Sequence, residues 1–188
     1  MAHEILVVVD VQNDFVTGSL GSKYAQVAKD NIIDLLKSNK FDLIVSTYDT
    51  HLDNYINTKE GQKLPVEHCV YNTNGWFQNP EVYEAIANSS HSEKIRIIKP
   101  TFGSTELVEK IKDYICNKRN YGIENFNITF VGLCTDICVI SNVLMIQAIY
   151  GQDKNVDVRV IENCCAGVTP ELHKSAIDVM KSCQITIK

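Results

Sequence analysis

The sequence predicts a single-domain α/β fold over residues 1–188, with a mainly parallel sheet covered by helices on both faces. Three observations predict it. Strand-like and helix-like runs alternate along the chain. The first strand candidate, Ile5-Leu-Val-Val-Val9, is continuously apolar, as in a strand buried on both faces. The length and an apolar content of 45% suffice for one sizeable core, and no repeat, low-complexity tract or linker divides the chain.

The elements follow in order. Ile5–Val9 ends in Asp10, and a loop with Gly18 and Gly21 leads to a helix over Lys23–Lys37, with Ala25, Ala28, Ile32 and Leu35 at helical spacing. Leu43–Thr47 is the second strand. Residues 51–80 show little periodicity, which is long for a structureless connection and marks a functional loop. Pro80–Ala87 is a short helix and Ile95–Ile98 the third strand. Ser104–Cys116 is helical, with Leu107, Val108, Ile111 and Ile115 on one side. Phe126–Leu133 is the fourth strand. A long helix, Ile137–Tyr150, follows it and stops at Gly151. Val156–Ile161 is the fifth strand. Thr169-Pro170-Glu171 reads as N-cap, first-turn proline and first-turn acid of a helix to Ser182. Ile185–Ile187 closes the chain as a short strand.

Composition narrows the partners. A formal charge of -5 without a long basic run excludes nucleic acid and anionic membranes as expected partners. No signal-like or membrane-spanning segment is present, so a cytoplasmic location is expected. Seven cysteines without an export signal argue against a disulfide framework. The vicinal Cys164–Cys165 pair reads as small apolar filling, with redox sensing as the alternative. Two glycosylation sequons, at Asn88 and Asn127, carry no meaning in that compartment. The Ile137–Tyr150 helix is apolar almost all round, so a second subunit is expected to cover part of it: a homo-oligomer.

Ligands of parallel sheets sit beyond the carboxyl ends of the strands. Asp10 follows strand one, Asp49 and His51 follow strand two, Lys99 follows strand three, and Cys134 to Cys138 follow strand four. Thr135 is a good N-cap, which places Cys138 at N3 of the long helix, where dipole and unpaired N–H groups favour a thiolate. A carboxylate (Asp10) can take the thiol proton, an ammonium (Lys99) can hold the charges, and backbone N–H groups at the turn can hold an oxyanion. Each residue also has an ordinary structural role: core cysteine, strand-end cap, surface lysine. Their meeting at three successive strand ends favours chemistry. Asp49, His51, Glu60 and His68 combine imidazole with carboxylate, a set suited to zinc, iron or manganese, with exposed loop residues as the alternative. Phe15, Trp76 and Phe102 are loop aromatics that either pack or stack on a flat substrate. No dinucleotide or phosphate-loop motif is present.

Three motifs carry a resemblance: Asp10-Val-Gln-Asn-Asp-Phe15, Lys99-Pro-Thr-Phe-Gly-Ser104 and Gly132-Leu-Cys-Thr-Asp-Ile-Cys138-Val139. In this order they resemble the isochorismatase-like cysteine hydrolase superfamily over nearly the whole chain, as far as Ala166-Gly-Val-Thr-Pro-Glu171. The resemblance implies a three-layer α/β/α sandwich with a mostly parallel six-stranded sheet and a triad of Asp10, Lys99 and Cys138. It implies a cis peptide at Leu133–Cys134, which turns the N–H of Cys134 to join that of Cys138 as oxyanion donors. Cys134 itself receives no nucleophilic role. Asp49-x-His51 and His68-Cys-Val70 resemble the nicotinamidase branch, where a divalent metal, zinc foremost, orients the pyridine nitrogen. Glu60 matches a ligand type of some members. The segment Leu64-Pro-Val-Glu67 departs from the branch's pattern.

The expected activity is therefore hydrolysis of a small carboxamide, nicotinamide foremost, through a thioester. The alternatives are an isochorismatase-like or other small-amide hydrolase without metal, and a catalytically silent scaffold on the same fold.

Overall fold

The computed structural model describes residues 2–89 and 91–188. Ser90, which completes the first sequon, lies outside the described residues. The strands are β1 (His3–Val9), β2 (Leu43–Asp49), β3 (Glu93–Lys99), β4 (Phe126–Leu133), β5 (Val156–Ala166) and β6 (Thr186–Ile187). The helices are α1 (Asn13–Val16), α2 (Lys23–Ser38), α3 (Pro80–Ala87), α4 (Thr105–Asn120), α5 (Ile140–Tyr150) and α6 (Pro170–Ser182). All strand pairs are parallel and the order is β3-β2-β1-β4-β5-β6. The expected α/β/α sandwich is present, with an all-parallel sheet.

The two cores show why the first strand reads as it does. Ile5, Val7 and Val9 pack with α4, α5 and α6, while Leu6 and Val8 pack with α1, α2 and α3. Alternate side chains point to opposite faces of a strand, so β1 must be apolar at every position. The vicinal cysteines obey the same alternation: Cys164 lies in one core and Cys165 in the other, both free and buried. That is the expected filling role.

Helix ends follow the sequence signals where side chains serve as caps. Ser22, Asn79, Ser104 and Thr169 each accept a backbone N–H of the first turn of α2, α3, α4 and α6. The helix after β4 departs from expectation. Thr135–Val139 form a π-helical turn, and the α-helix proper starts only at Ile140. Thr135 makes no cap; its hydroxyl bonds to His173 Nδ1 on α6 at 2.8 Å. Cys138 is thus in a π turn and not at N3 of an α-helix.

Two backbone features bring β1 and β4 together at their carboxyl ends. Gly132 has φ +125°, and a Cβ there would collide with the backbone carbonyl of Val9. Only glycine permits that approach. The Leu133–Cys134 peptide that follows is cis, as the resemblance implies. The helices that follow β1 and β4 pack on opposite faces of the sheet, which makes these two strand ends its topological switch point.

The long connection after β2 is fastened by three successive side chains beyond β1. Gln12, fully buried, donates from Nε2 to the carbonyls of Asp49 and Trp76, both at 2.8 Å, and accepts the Asp49 N–H at 2.7 Å. Asn13 Nδ2 donates to Asn74 O at 2.8 Å. Asp14 Oδ2 accepts the Cys69 N–H at 2.8 Å, and a side chain at Gly75 would strike its carboxylate. Replacing Gln12 by Leu keeps the volume but strands three buried backbone groups, each costing about 1–3 kcal/mol. Gln12→Leu is expected to lower the unfolding free energy by about 2 kcal/mol or more, measured by urea denaturation, and to speed proteolysis within residues 52–78 first.

Candidate active site

The carboxyl ends of β1, β2, β3 and β4 each deliver one polar group to a single buried point. Asp10 leaves β1 with φ +48°, an uncommon conformation that Asp tolerates better than most residues. Its Oδ1 accepts from the hydroxyl of Thr47 at 2.7 Å, and its Oδ2 lies 2.6 Å from Lys99 Nζ. Lys99, the last residue of β3, is 1% exposed. Its ammonium also donates to Thr101 O at 3.0 Å and lies 3.7 Å from Cys138 Sγ. The sulfur, carboxylate and ammonium expected to meet do meet.

Burial acts on all three. It would lower Lys99, but the carboxylates of Asp10 and Asp49 outweigh it and keep the ammonium. Burial raises Asp10 above the usual carboxylate range, against the pull of Lys99. Burial, then the carboxylate of Asp10, push the Cys138 thiol well up. This corrects the expectation of a thiolate favoured by a helix N-terminus. The sulfur stands beside a carboxylate that burial makes a better proton acceptor than an exposed one. Cys134 is pushed up to about 12 by burial and Asp136.

A second cluster adjoins the first. Asp49, His51 and His68 are all buried, and one ligand atom from each lies within 4.8 Å of the others. Asp49 Oδ2 is 3.1 Å from His51 Nε2 and 3.4 Å from His68 Nε2. Glu60 Oε1 lies 3.7 Å from both nitrogens. His68 Nδ1 meets the carbonyl of Val66 at 2.8 Å, which places a proton on Nδ1 and turns Nε2 towards Asp49. Two imidazole nitrogens and a carboxylate oxygen converging on one buried point are a donor set that fits a divalent metal. Burial alone would raise Asp49, but His51 and His68 hold it well below the usual carboxylate range. Burial and the charge of Asp49 raise Glu60. Lys99 links the clusters, 3.9 Å from Asp49 Oδ1.

The aromatic candidates divide. Phe15 sets its ring edge against His68, with centroids 5.5 Å apart. Phe102 is 44% exposed on the segment between Lys99 and α4. Trp76 is buried against Tyr48, Tyr71 and Phe77, and its indole N–H donates to Thr50 Oγ1 at 2.8 Å, so its polar edge is already used.

Sequence reasoning missed the residues that hold these groups in place. Thr47 orients Asp10. Asn142 of α5, fully buried, donates to Cys138 O at 2.7 Å and Phe102 O at 3.0 Å and accepts the Ser104 N–H at 2.9 Å. It joins the Cys138 turn to the segment after Lys99. A signal existed: Asn142 interrupts an otherwise apolar helix face, and buried amides are there to be hydrogen-bonded.

Known proteins share this frame. A crystal structure of nicotinamidase/pyrazinamidase from Bacillus subtilis superposes with a TM-score of 0.74 at 22% identity, covering 98% of each chain. A crystal structure from L. infantum, in complex with nicotinate, superposes with a TM-score of 0.72 at 17% identity, covering 100% of this chain and 92% of that one. Pyrazinamidase of Pyrococcus horikoshii, in complex with zinc, has a TM-score of 0.65 at 25% identity, covering 99% and 98%. No curated protein sequence gives a significant match. The Isochorismatase domain profile matches residues 4–187, from the second residue of β1 to the last of β6. Every strand end that feeds the buried site falls within that match, and the chain therefore belongs to the isochorismatase family, with that family's hydrolase fold.

Proposed function

We propose that the protein is a metal-assisted cysteine amidohydrolase that converts nicotinamide to nicotinate and ammonia. The observation that carries this reading is the place of Lys99, within 4 Å of Asp10, Cys138 and Asp49. One ammonium joins a nucleophile and its base to a cluster fit for a metal. The likeness to nicotinamidases and to a nicotinate complex supports the substrate.

Asp10 accepts the proton of Cys138 as the sulfur attacks the carboxamide carbon. The N–H groups of Cys134 and Cys138 hold the oxyanion. Collapse breaks the C–N bond, and ammonia departs with the proton from Asp10. Water, activated by Asp10, then cleaves the thioester to the acid and restores the thiol. Lys99 keeps Asp10 ionised between steps and offsets the charge on sulfur. Asp49, His51, His68 and Glu60 would hold the metal, which supplies a Lewis-acid contact for the pyridine nitrogen. Phe15, beside His68, and the exposed Phe102 are the aromatic faces proposed to flank the ring.

A cytoplasmic setting belongs to this reading, since all seven cysteines are free. Among the described residues no helix is long and apolar enough to cross a membrane. A homo-oligomer also belongs to it, because Ile149 of α5 is 45% exposed and Ile140 and Leu144 are only partly covered.

Three outcomes are expected. Purified protein releases ammonia from nicotinamide, Cys138→Ala releases none, and Asp10→Asn loses on the order of 10²–10⁴ in kcat. Wild type that spares nicotinamide but hydrolyses another carboxamide would remove the substrate and keep the class; inertness towards all carboxamides would favour a silent scaffold. Elemental analysis finds stoichiometric zinc, iron or manganese, lost in Asp49→Ala; full activity without metal would overturn the metal's part. Sedimentation gives a species heavier than the 21.2 kDa chain, and a monomer at that mass would remove the oligomer.

A further inference from the structure

The nucleophile's turn is gripped from outside by an element that the mechanism above does not use. Thr135–Val139 is a π-helical turn whose preceding residue, Cys134, offers no side-chain cap. Its closing bond runs from Val139 N–H to Cys134 O at 3.0 Å. The proposed oxyanion donors, the N–H groups of Cys134 and Cys138, flank its first residues. Whatever fixes Thr135 and Asp136 therefore sets the spacing of those donors.

Both residues are fixed by the corner between β5 and α6. Thr135 is fully buried, and its hydroxyl bonds to His173 Nδ1 at 2.8 Å. Asp136 Oδ1 accepts the Val168 N–H at 2.9 Å. Gly167 lies in the same corner, where a Cβ would collide with Asp136 Oδ1 and the backbone of His173. His173 is itself held, its N–H donating to Thr169 O at 2.9 Å, with Thr169 capping α6. Its far nitrogen, Nε2, stands 3.9 Å from Glu162 Oε1, beyond hydrogen-bond range. The useful atom of the imidazole is thus Nδ1, and its partner is three residues from Cys138.

We propose that His173 is a positioning residue for the reaction: through Nδ1 and the Thr135 hydroxyl it holds the π turn in the shape that presents Cys138 and the oxyanion donors. The proposal rests on the amidohydrolase reading and extends it to a residue outside the triad and the metal cluster. It makes a stereochemical demand. Asn carries a polar atom at the position of Nδ1, whereas Gln reaches the position of Nε2, where Thr135 is not.

The test is steady-state hydrolysis of nicotinamide by wild type, His173→Ala, His173→Asn and His173→Gln, each checked for folding by circular dichroism. His173→Ala and His173→Gln are expected to lose on the order of tenfold to a hundredfold in kcat with KM unchanged. His173→Asn is expected to recover most of that loss. In a Thr135→Val background, which removes the hydroxyl and keeps the shape, His173→Ala is expected to add at most about a twofold further loss, because the two changes delete one bond. Equal kcat for His173→Ala and wild type would overturn the proposal, as would equal impairment of the Asn and Gln variants or full additivity with Thr135→Val. If His173→Ala does not fold, the contrast between Asn and Gln decides alone. A wild type inert towards nicotinamide and other carboxamides would instead sink the amidohydrolase reading and this proposal with it.

Discussion

The molecule is organised around a buried ion pair. Lys99 and Asp10 have almost no access to solvent, and their charged atoms lie 2.6 Å apart. Removing two charges from water is expensive, and losing one partner of such a pair costs about 3–5 kcal/mol because the other is left uncompensated. Thr47 donates to Asp10 Oδ1 and the carbonyl of Thr101 accepts from Lys99, so Asp10 Oδ2 is met by the ammonium alone. A core of similar volume made of hydrocarbon would be at least as stable. The pair therefore makes sense as equipment: it holds a carboxylate and an ammonium at the sulfur of Cys138.

Around this pair, polar side chains that do no chemistry carry much of the architecture. Gln12 ties the backbone of Asp49 to that of Trp76, Asp14 ties Cys69 to α1, and Asn142 ties Cys138 to the segment after Lys99. Each spans connections that the sheet ladder does not reach. Loops carry backbone groups that must be paired when buried, and here a few amide and carboxylate side chains pair them. The same bonds set the distance between the triad and the Asp49–His51–His68 cluster. Stability of the long connection and geometry of the site are thus one property, since Gln12 serves both.

The convergence of the candidate residues was more legible in the sequence than the side chains that support them. Asp10 and Lys99 were legible because each ends an apolar run, and Cys138 because it lies in the turn after a third, and parallel sheets gather such ends at one edge. Asp49, His51 and His68 were legible as ligand-type residues in an aperiodic segment. Thr135 misled: a threonine before an apolar run has the local look of an N-cap, but its hydroxyl is claimed by His173, across 38 positions of sequence. The thiol of Cys138 misled for a related reason. Helix-end arguments count local dipoles, whereas burial and the charge of Asp10 come from distant segments and dominate.

The sequence by itself determined the alternation of strands and helices, the two-faced burial of β1, and the residue types at each strand end. It could do so because hydrophobic periodicity and the reach of a strand are local properties. Only the tertiary structure decided that Lys99 stands between Asp10, Cys138 and Asp49, that a π turn presents the sulfur, and that Gln12, Asn142 and His173 hold the loops. Those facts depend on contacts between segments tens of residues apart. There the winning interaction is the one that pairs buried charges and hydrogen-bonding groups, and a linear pattern does not record which partner that will be.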